Sequence, residues 1–187
     1  NPHVWLDPLN LPTAADNIAV ALGRVDPAHA ADYTANAKAF RLKIHESTFG
    51  KDLTGFVGGD LLARLAQGGK LDEFLTSKGL QGRLGGWLKA GAALRGKPMV
   101  FYHQSWPYFV ARFGVNVVGY VEDRPGIPPP AAHRDELLRV LKAQNVRVIE
   151  VTSYYDDKIP SLLARESGAR VAHVGGDVGG TADATDY

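Results

Sequence analysis

From residue 97 onward, short apolar runs alternate with segments long enough for a helix, and this alternation constrains the fold more than any other feature of the chain. Residues 99–102, 115–121, 146–151 and 169–174 read as strands. Residues 105–113, 131–144 and 158–167 read as the helices between them, the first ended by Gly114 and the second carrying Leu137, Leu138 and Leu141 on one face. Pro107 falls in the first turn of its helix, where its missing N–H costs little. Strands joined through helices cannot pair as hairpins, so the pattern predicts a parallel sheet covered on both faces.

The first third of the chain carries helical signals instead. Good helix formers over 13–22 end at Gly23, and Asp26-Pro27 supplies a cap and a first-turn proline for a second helix. On that helix Tyr33, Ala37, Phe40 and Ile44 form one apolar stripe, and it should run about five turns, toward Glu46, as a rigid strut. Residues 47–96 differ in texture. Gly-Gly recurs at 58–59, 68–69 and 85–86 between short helical pieces at 61–66 and 71–75, which reads as a loop-rich insertion.

Composition excludes several function classes. The 187 residues are 45% hydrophobic and 22% charged, an ordinary globular balance, and suffice for one domain or for one and part of another. A net charge of +1, with Lys and Arg evenly spread, gives no cationic surface for nucleic acid. No apolar stretch approaches the roughly 20 residues of a membrane helix. The absence of Cys excludes a disulfide scaffold and is compatible with an oxidising or a reducing compartment.

In open parallel sheets, ligands bind beyond the carboxyl ends of the strands. There the sequence places His103 after the first strand, Glu122 after the second, Glu150 near the end of the third and Asp177 after the fourth. One imidazole and three carboxylates on one edge suit a divalent cation, because imidazole favours zinc and carboxylates accept zinc, manganese or magnesium. The competing reading of each is a solvated loop residue or a helix-capping acid. Among the other histidines, His29 and His45 read as surface residues near the ends of the strut helix, and His133 and His173 as capping or packing residues. His3 stands in a stiff, partly apolar context between Pro2 and Trp5.

Two longer stretches carry a resemblance. Asn1-Pro2-His3-Val4-Trp5-Leu6-Asp7-Pro8, with Tyr102-His103-Gln104-Ser105-Trp106-Pro107-Tyr108-Phe109 much later, resembles the zinc and manganese solute-binding proteins of ABC transporters. Gly119-Tyr120-Val121-Glu122, Pro125-Gly126-Ile127-Pro128-Pro129 and Gly168-Ala169-Arg170-Val171 are similar to further stretches of that family, so the likeness spans essentially the whole chain.

The resemblance implies two α/β lobes joined by one long helix, with the metal held between them. Residues 1–25 would be the end of the N-terminal lobe, 26–46 the connecting helix, 47–96 the insertion and 97–187 a complete C-terminal lobe. His3 matches the ligand at the end of the first lobe and His103 the first ligand of the second; Asp177 stands where the last ligand is expected, with Asp183 and Asp186 as lesser candidates. Manganese members tend to carry Glu at the His103 position, which tilts the metal toward zinc. Glu122 and Glu150 become acceptors for a ligand imidazole. The implied setting is periplasmic, or extracytoplasmic on a lipid anchor, with an ABC permease as partner and no reaction catalysed. An early His ligand of the first lobe has no counterpart, nor does a His-rich loop, so about 100 residues or more of that lobe are expected upstream. Two other readings stay open. One is a zinc hydrolase in which His3, His103 and Asp177 leave a position for water and Glu150 or Glu122 acts as base. The weaker one is nucleotide binding through Gly175-Gly176-Asp177-Val178-Gly179-Gly180, which opens no recognisable helix.

Overall fold

The helical signals of the first half and the strand signals of the second segregate. In the computed structural model, which describes residues 2–122, 124 and 126–185, one unit is Asp7–Ala93 and the other Asn1–Leu6 with Leu94–Tyr187. The first six residues thus belong with the α/β half.

The helical unit begins at a cap, where the Asp7 carboxylate accepts the Leu9 N–H at 3.1 Å. Helix α1 (Leu11–Val25) runs through Gly23, the expected stop. A Cβ on Gly23 would lie 3.2 Å from the Cβ of Ala30, so this glycine serves a close approach rather than a helix end. Helix α2 (Ala30–Phe49) follows a 3₁₀ turn, Pro27–His29, and outlasts Glu46 by three residues, ending at Gly50 with φ 86°. Its stripe is as expected: Ala37 and Ile44 are buried and Tyr33 and Phe40 partly so. Arg41 joins three helices, pairing with Asp60 at 2.7 Å and with Asp16.

The insertion is not loop-rich. Residues 51–90 form α3 (Lys51–Val57), α4 (Gly59–Gln67), α5 (Leu71–Lys78) and α6 (Gly86–Ala90) around a core that includes Phe49, Leu53, Leu62, Leu71 and Leu75. The glycine pairs are the joints between these helices. Gly58, with φ 95°, both ends α3 and precedes α4, a conformation L side chains rarely adopt. The chain leaves at Phe49 and returns beside it, the Gly85 N–H donating to the Phe49 carbonyl at 2.8 Å. The same packing overturns the surface reading of His45. That residue is buried, 3% exposed, because Gly59 lies directly against its ring and leaves no room for a Cβ.

In the α/β unit, β1 (Pro98–Phe101), β2 (Asn116–Tyr120), β3 (Val148–Thr152) and β4 (Arg170–Val174) form one parallel sheet in the order β2-β1-β3-β4. Alternation along β1 assigns its two faces. Met99 and Phe101 pack with Phe109, Val110 and Phe113 of α7 (Pro107–Phe113). Val100 packs with Leu137 and Leu141 of α8 (Ala131–Ala143) and Leu163 of α9 (Lys158–Ser167). The chain leaves β1 toward β2 and leaves β3 toward β4, in opposite directions. The topological switch, where such sheets open a crevice, therefore lies between β1 and β3. Among the described residues no helix is long and apolar enough to cross a membrane.

Candidate metal centre

The sheet ladder continues past the strand ends and sets the chemistry in place. Tyr102 N–H donates to the Glu150 carbonyl at 2.8 Å, and Glu122 N–H donates to the Tyr102 carbonyl at 2.9 Å. The backbone of Glu122 is thereby locked beside the turn that carries His103. Their side chains meet: His103 Nδ1 lies 2.5 Å from Glu122 Oε2, with His103 19% and Glu122 7% exposed. The other carboxylate oxygen, Oε1, accepts the Gly126 N–H at 2.5 Å. An ionised carboxylate accepts only, so the neutral imidazole that bonds it carries its proton on Nδ1 and presents the Nε2 lone pair, the tautomer that ligates a divalent metal through Nε2.

Glu150 lies under this turn. It is buried, 4% exposed. Trp106 Nε1–H donates to Thr152 Oγ1 at 3.1 Å, and the Thr152 hydroxyl donates to Glu150 Oε1 at 2.9 Å. Tyr102 N–H also approaches Glu150 Oε2 at 3.4 Å, so one carboxyl ties both ends of the 102–106 turn. Burial pushes the Glu150 pKa up to about 7, against the opposing effect of these donors. Beside His103, Tyr155 stacks on Tyr102 at 4.3 Å between ring centroids, and burial together with Tyr154 and Glu122 pushes its phenol up to about 12.

His3 opens a 3₁₀ turn, Val4–Leu6, that packs against α7. Its ring meets Trp5 edge to face at 5.3 Å, and Trp5 Nε1–H donates to the Gly176 carbonyl at 3.3 Å. This contact ties the turn bearing His3 to the residue next to Asp177. The glycines of that loop have a steric reason. A Cβ on Gly180 would lie 3.0 Å from the Asp177 carbonyl oxygen and 3.1 Å from Gly175 Cα, so the loop folds back on its own backbone. Asp177 itself is exposed.

The structure therefore joins His103 to Glu122 directly and links the turns of His3 and Asp177 through Trp5. It does not gather a finished centre: among the described residues no three His, Asp or Glu side chains stand close enough to hold a metal. Glu150 and Glu122 are both buried and engaged by donors, which is poor placement for a base acting on water. The acidity of Asp183 is increased by a hydrogen bond from Thr181, and Asp186 lies outside the described residues. His29 bonds Asp26 at 2.8 Å on the surface, His133 Nε2–H donates to the Tyr120 carbonyl at 2.9 Å, and the half-exposed His173 pairs with Asp157 at 3.2 Å. The sequence reading missed the Trp106–Thr152–Glu150 chain. Its signal was available, since Glu150 and Thr152 stand two apart on a strand and so share a face.

Comparison with known proteins follows this geometry. A family model described as "Zinc-uptake complex component A periplasmic" matches residues 1–48 and 82–187, leaving out 49–81, the segment that supplies α3 to α5. The high-affinity zinc uptake system protein ZnuA of Brucella abortus (strain 2308) is 27% identical over 168 residues, covering 90% of this chain and 40% of the relative. A crystal structure of ZnuA superposes with TM-score 0.65 at 22% identity, over 94% of this chain and 54% of that one. The laminin-binding protein Lmb of Streptococcus agalactiae, described as bifunctional with adhesin and metal-transporting activity, gives TM-score 0.63 at 24% identity, over 94% and 55%. The chain thus spans about half the length of these proteins or less.

Proposed function

Because the chain belongs to the family of the periplasmic zinc-uptake component A, a family of solute-binding proteins rather than enzymes, we propose that it carries half of a zinc-capture site and serves an ABC permease outside the cytoplasm. The observation that carries the reading is the His103–Glu122 pair, in which a buried carboxylate holds the imidazole in its metal-binding tautomer. In this reading His103 binds zinc through Nε2. His3 joins it from the turn that Trp5 anchors to Gly176, and Asp177 closes from the loop beyond β4. Two imidazoles, borderline donors, outnumber the one hard carboxylate, which favours zinc over manganese. The remaining coordination comes from outside this chain, in agreement with the fraction of its relatives that it spans. Residues 26–46 act as the connecting helix, and the helical insertion at 47–96 lies outside the metal-binding machinery.

Competition of the full-length protein with a zinc chelator tests this. His103→Ala and His3→Ala are each expected to weaken zinc binding by a factor of about 100 or more, since each removes one ligand of four. If both variants hold zinc as tightly as the wild type, the ligand assignment is wrong.

A further inference from the structure

A pocket of about 420 Å³ opens at the topological switch, between the ends of β1 and β3, with residues 126–129 along one side. Glu122 forms part of its wall, and the stacked phenols of Tyr102 and Tyr155 form another part. Glu122, which bonds His103 Nδ1, lines the pocket, and His103 does not. Its volume falls in the range of small-molecule sites.

We propose that this pocket is a second binding site, for a small organic cation of the primary-amine class, whose ammonium group shares the Glu122 carboxylate with the His103 imidazole. Charge selects the class. The inner charged group is Glu122, 7% exposed, whereas Lys158 stands 90% exposed at the rim, 3.8 Å from the Asp156 carboxylate that offsets it. A buried carboxylate beside aromatic faces attracts a cation and repels an anion. Hydrogen-bonding capacity agrees. A carboxylate offers about four lone-pair directions, and Glu122 meets one N–H at each oxygen, from His103 and from Gly126. Two donors of an ammonium group can be added without displacing either. Pro128, Pro129 and Ile159 supply an apolar wall for the carbon skeleton of the ligand.

The shared carboxylate couples the two sites. An ammonium on Glu122 draws charge from the acceptor that stabilises the metal-bound imidazole and places a second positive charge near the ion. Amine and zinc should oppose each other, reciprocally, by roughly five-fold in affinity. This coupling rests on the zinc reading above; the pocket itself does not.

Backbone-amide NMR of the metal-free chain, titrated with benzylamine, tests the site. Benzyl alcohol serves as the neutral control and benzoate as the anionic one. Saturable shifts at Gly126, Ile127, Tyr155 and Ile159 with benzylamine, and not with the controls, are the expected result. Lys158→Glu, at a surface position, should tighten benzylamine two- to five-fold, and Ile159→Trp should abolish binding by filling the pocket. Absence of saturable shifts at those residues, or equal binding of benzoate or benzyl alcohol, overturns the proposal. Zinc affinity of the full-length protein is then measured by chelator competition with and without saturating benzylamine. An unchanged zinc affinity refutes the shared carboxylate. A full-length protein that binds benzylamine but no zinc leaves the amine site standing and refutes only the metal reading.

Discussion

Replacing Glu150 with Gln should stabilise the protein at neutral and alkaline pH, although Glu150 is one of the most completely buried polar residues of the α/β unit. The reason is the cost of ionising a carboxyl 4% exposed and supported by only a few donors. Its pKa rises from 4.5 in the unfolded chain to about 7 in the folded one. Between those values the folded state binds the extra proton, so stability falls as pH rises through this window. Below pH 4.5 the group is neutral in both states and contributes no penalty. Above pH 7 the penalty is complete, at about 3 kcal/mol from 1.36 kcal/mol per pH unit, and at pH 6 it is about 2 kcal/mol. Gln keeps an oxygen for the Thr152 hydroxyl and loses only the long 3.4 Å approach of Tyr102 N–H, so the measured gain lies somewhat below this ceiling. Urea denaturation followed by circular dichroism at pH 4, 6 and 8 reads the difference between the two proteins. Near-equal stability at pH 4 and a widening advantage for Glu150→Gln toward pH 8 are expected. A variant that is no more stable at pH 8 than the wild type would falsify the desolvation account and mean that the donors around Glu150 already compensate its charge.

Two further predictions concern the metal pair and the insertion. Glu122→Gln leaves one acceptor oxygen for the two N–H donors of His103 and Gly126 and removes the negative charge beside the imidazole, and should weaken zinc 10- to 100-fold in a chelator competition; an affinity within two-fold of wild type would deny Glu122 that part. Gly86→Ala places a Cβ on the Ser47 carbonyl oxygen at a residue with φ 57°, and should cost about 2–4 kcal/mol in urea denaturation, the combined effect of strain and a backbone collision. A neutral result there would show that the return of the insertion beside α2 is not tightly packed.

Much of the α/β unit was legible from residue order. Val100 between Met99 and Phe101 already assigns two buried faces, and a helix-length segment between consecutive strands already requires parallel pairing. His103 and Glu122 could be placed on the same edge because strand ends are local features, read from where apolar runs stop. The helical insertion was misread for a related reason. Its glycine pairs look like loop punctuation in the sequence, while in three dimensions each pair sets one glycine at positive φ where a short helix begins or ends, and these helices of five to nine residues owe their existence to a shared core rather than to their own propensity.

What residue order determined by itself is therefore periodic or local: which segments are strands, which face of each is apolar, and which polar residues follow the strand ends. Tertiary structure alone decided the rest. It brought Gly59 onto His45 and buried a histidine that the sequence leaves on a helix surface. It carried the Trp5 indole across 171 positions to Gly176, joining the turn of His3 to the loop of Asp177. It set the Glu122 carboxylate on His103 Nδ1, 19 positions away, through the register of two neighbouring strands. Such pairings depend on how distant segments are brought together, and no local pattern of residues encodes the distance between them. The choice of tautomer, and with it the metal-binding face of the imidazole, is settled only when the chain has folded.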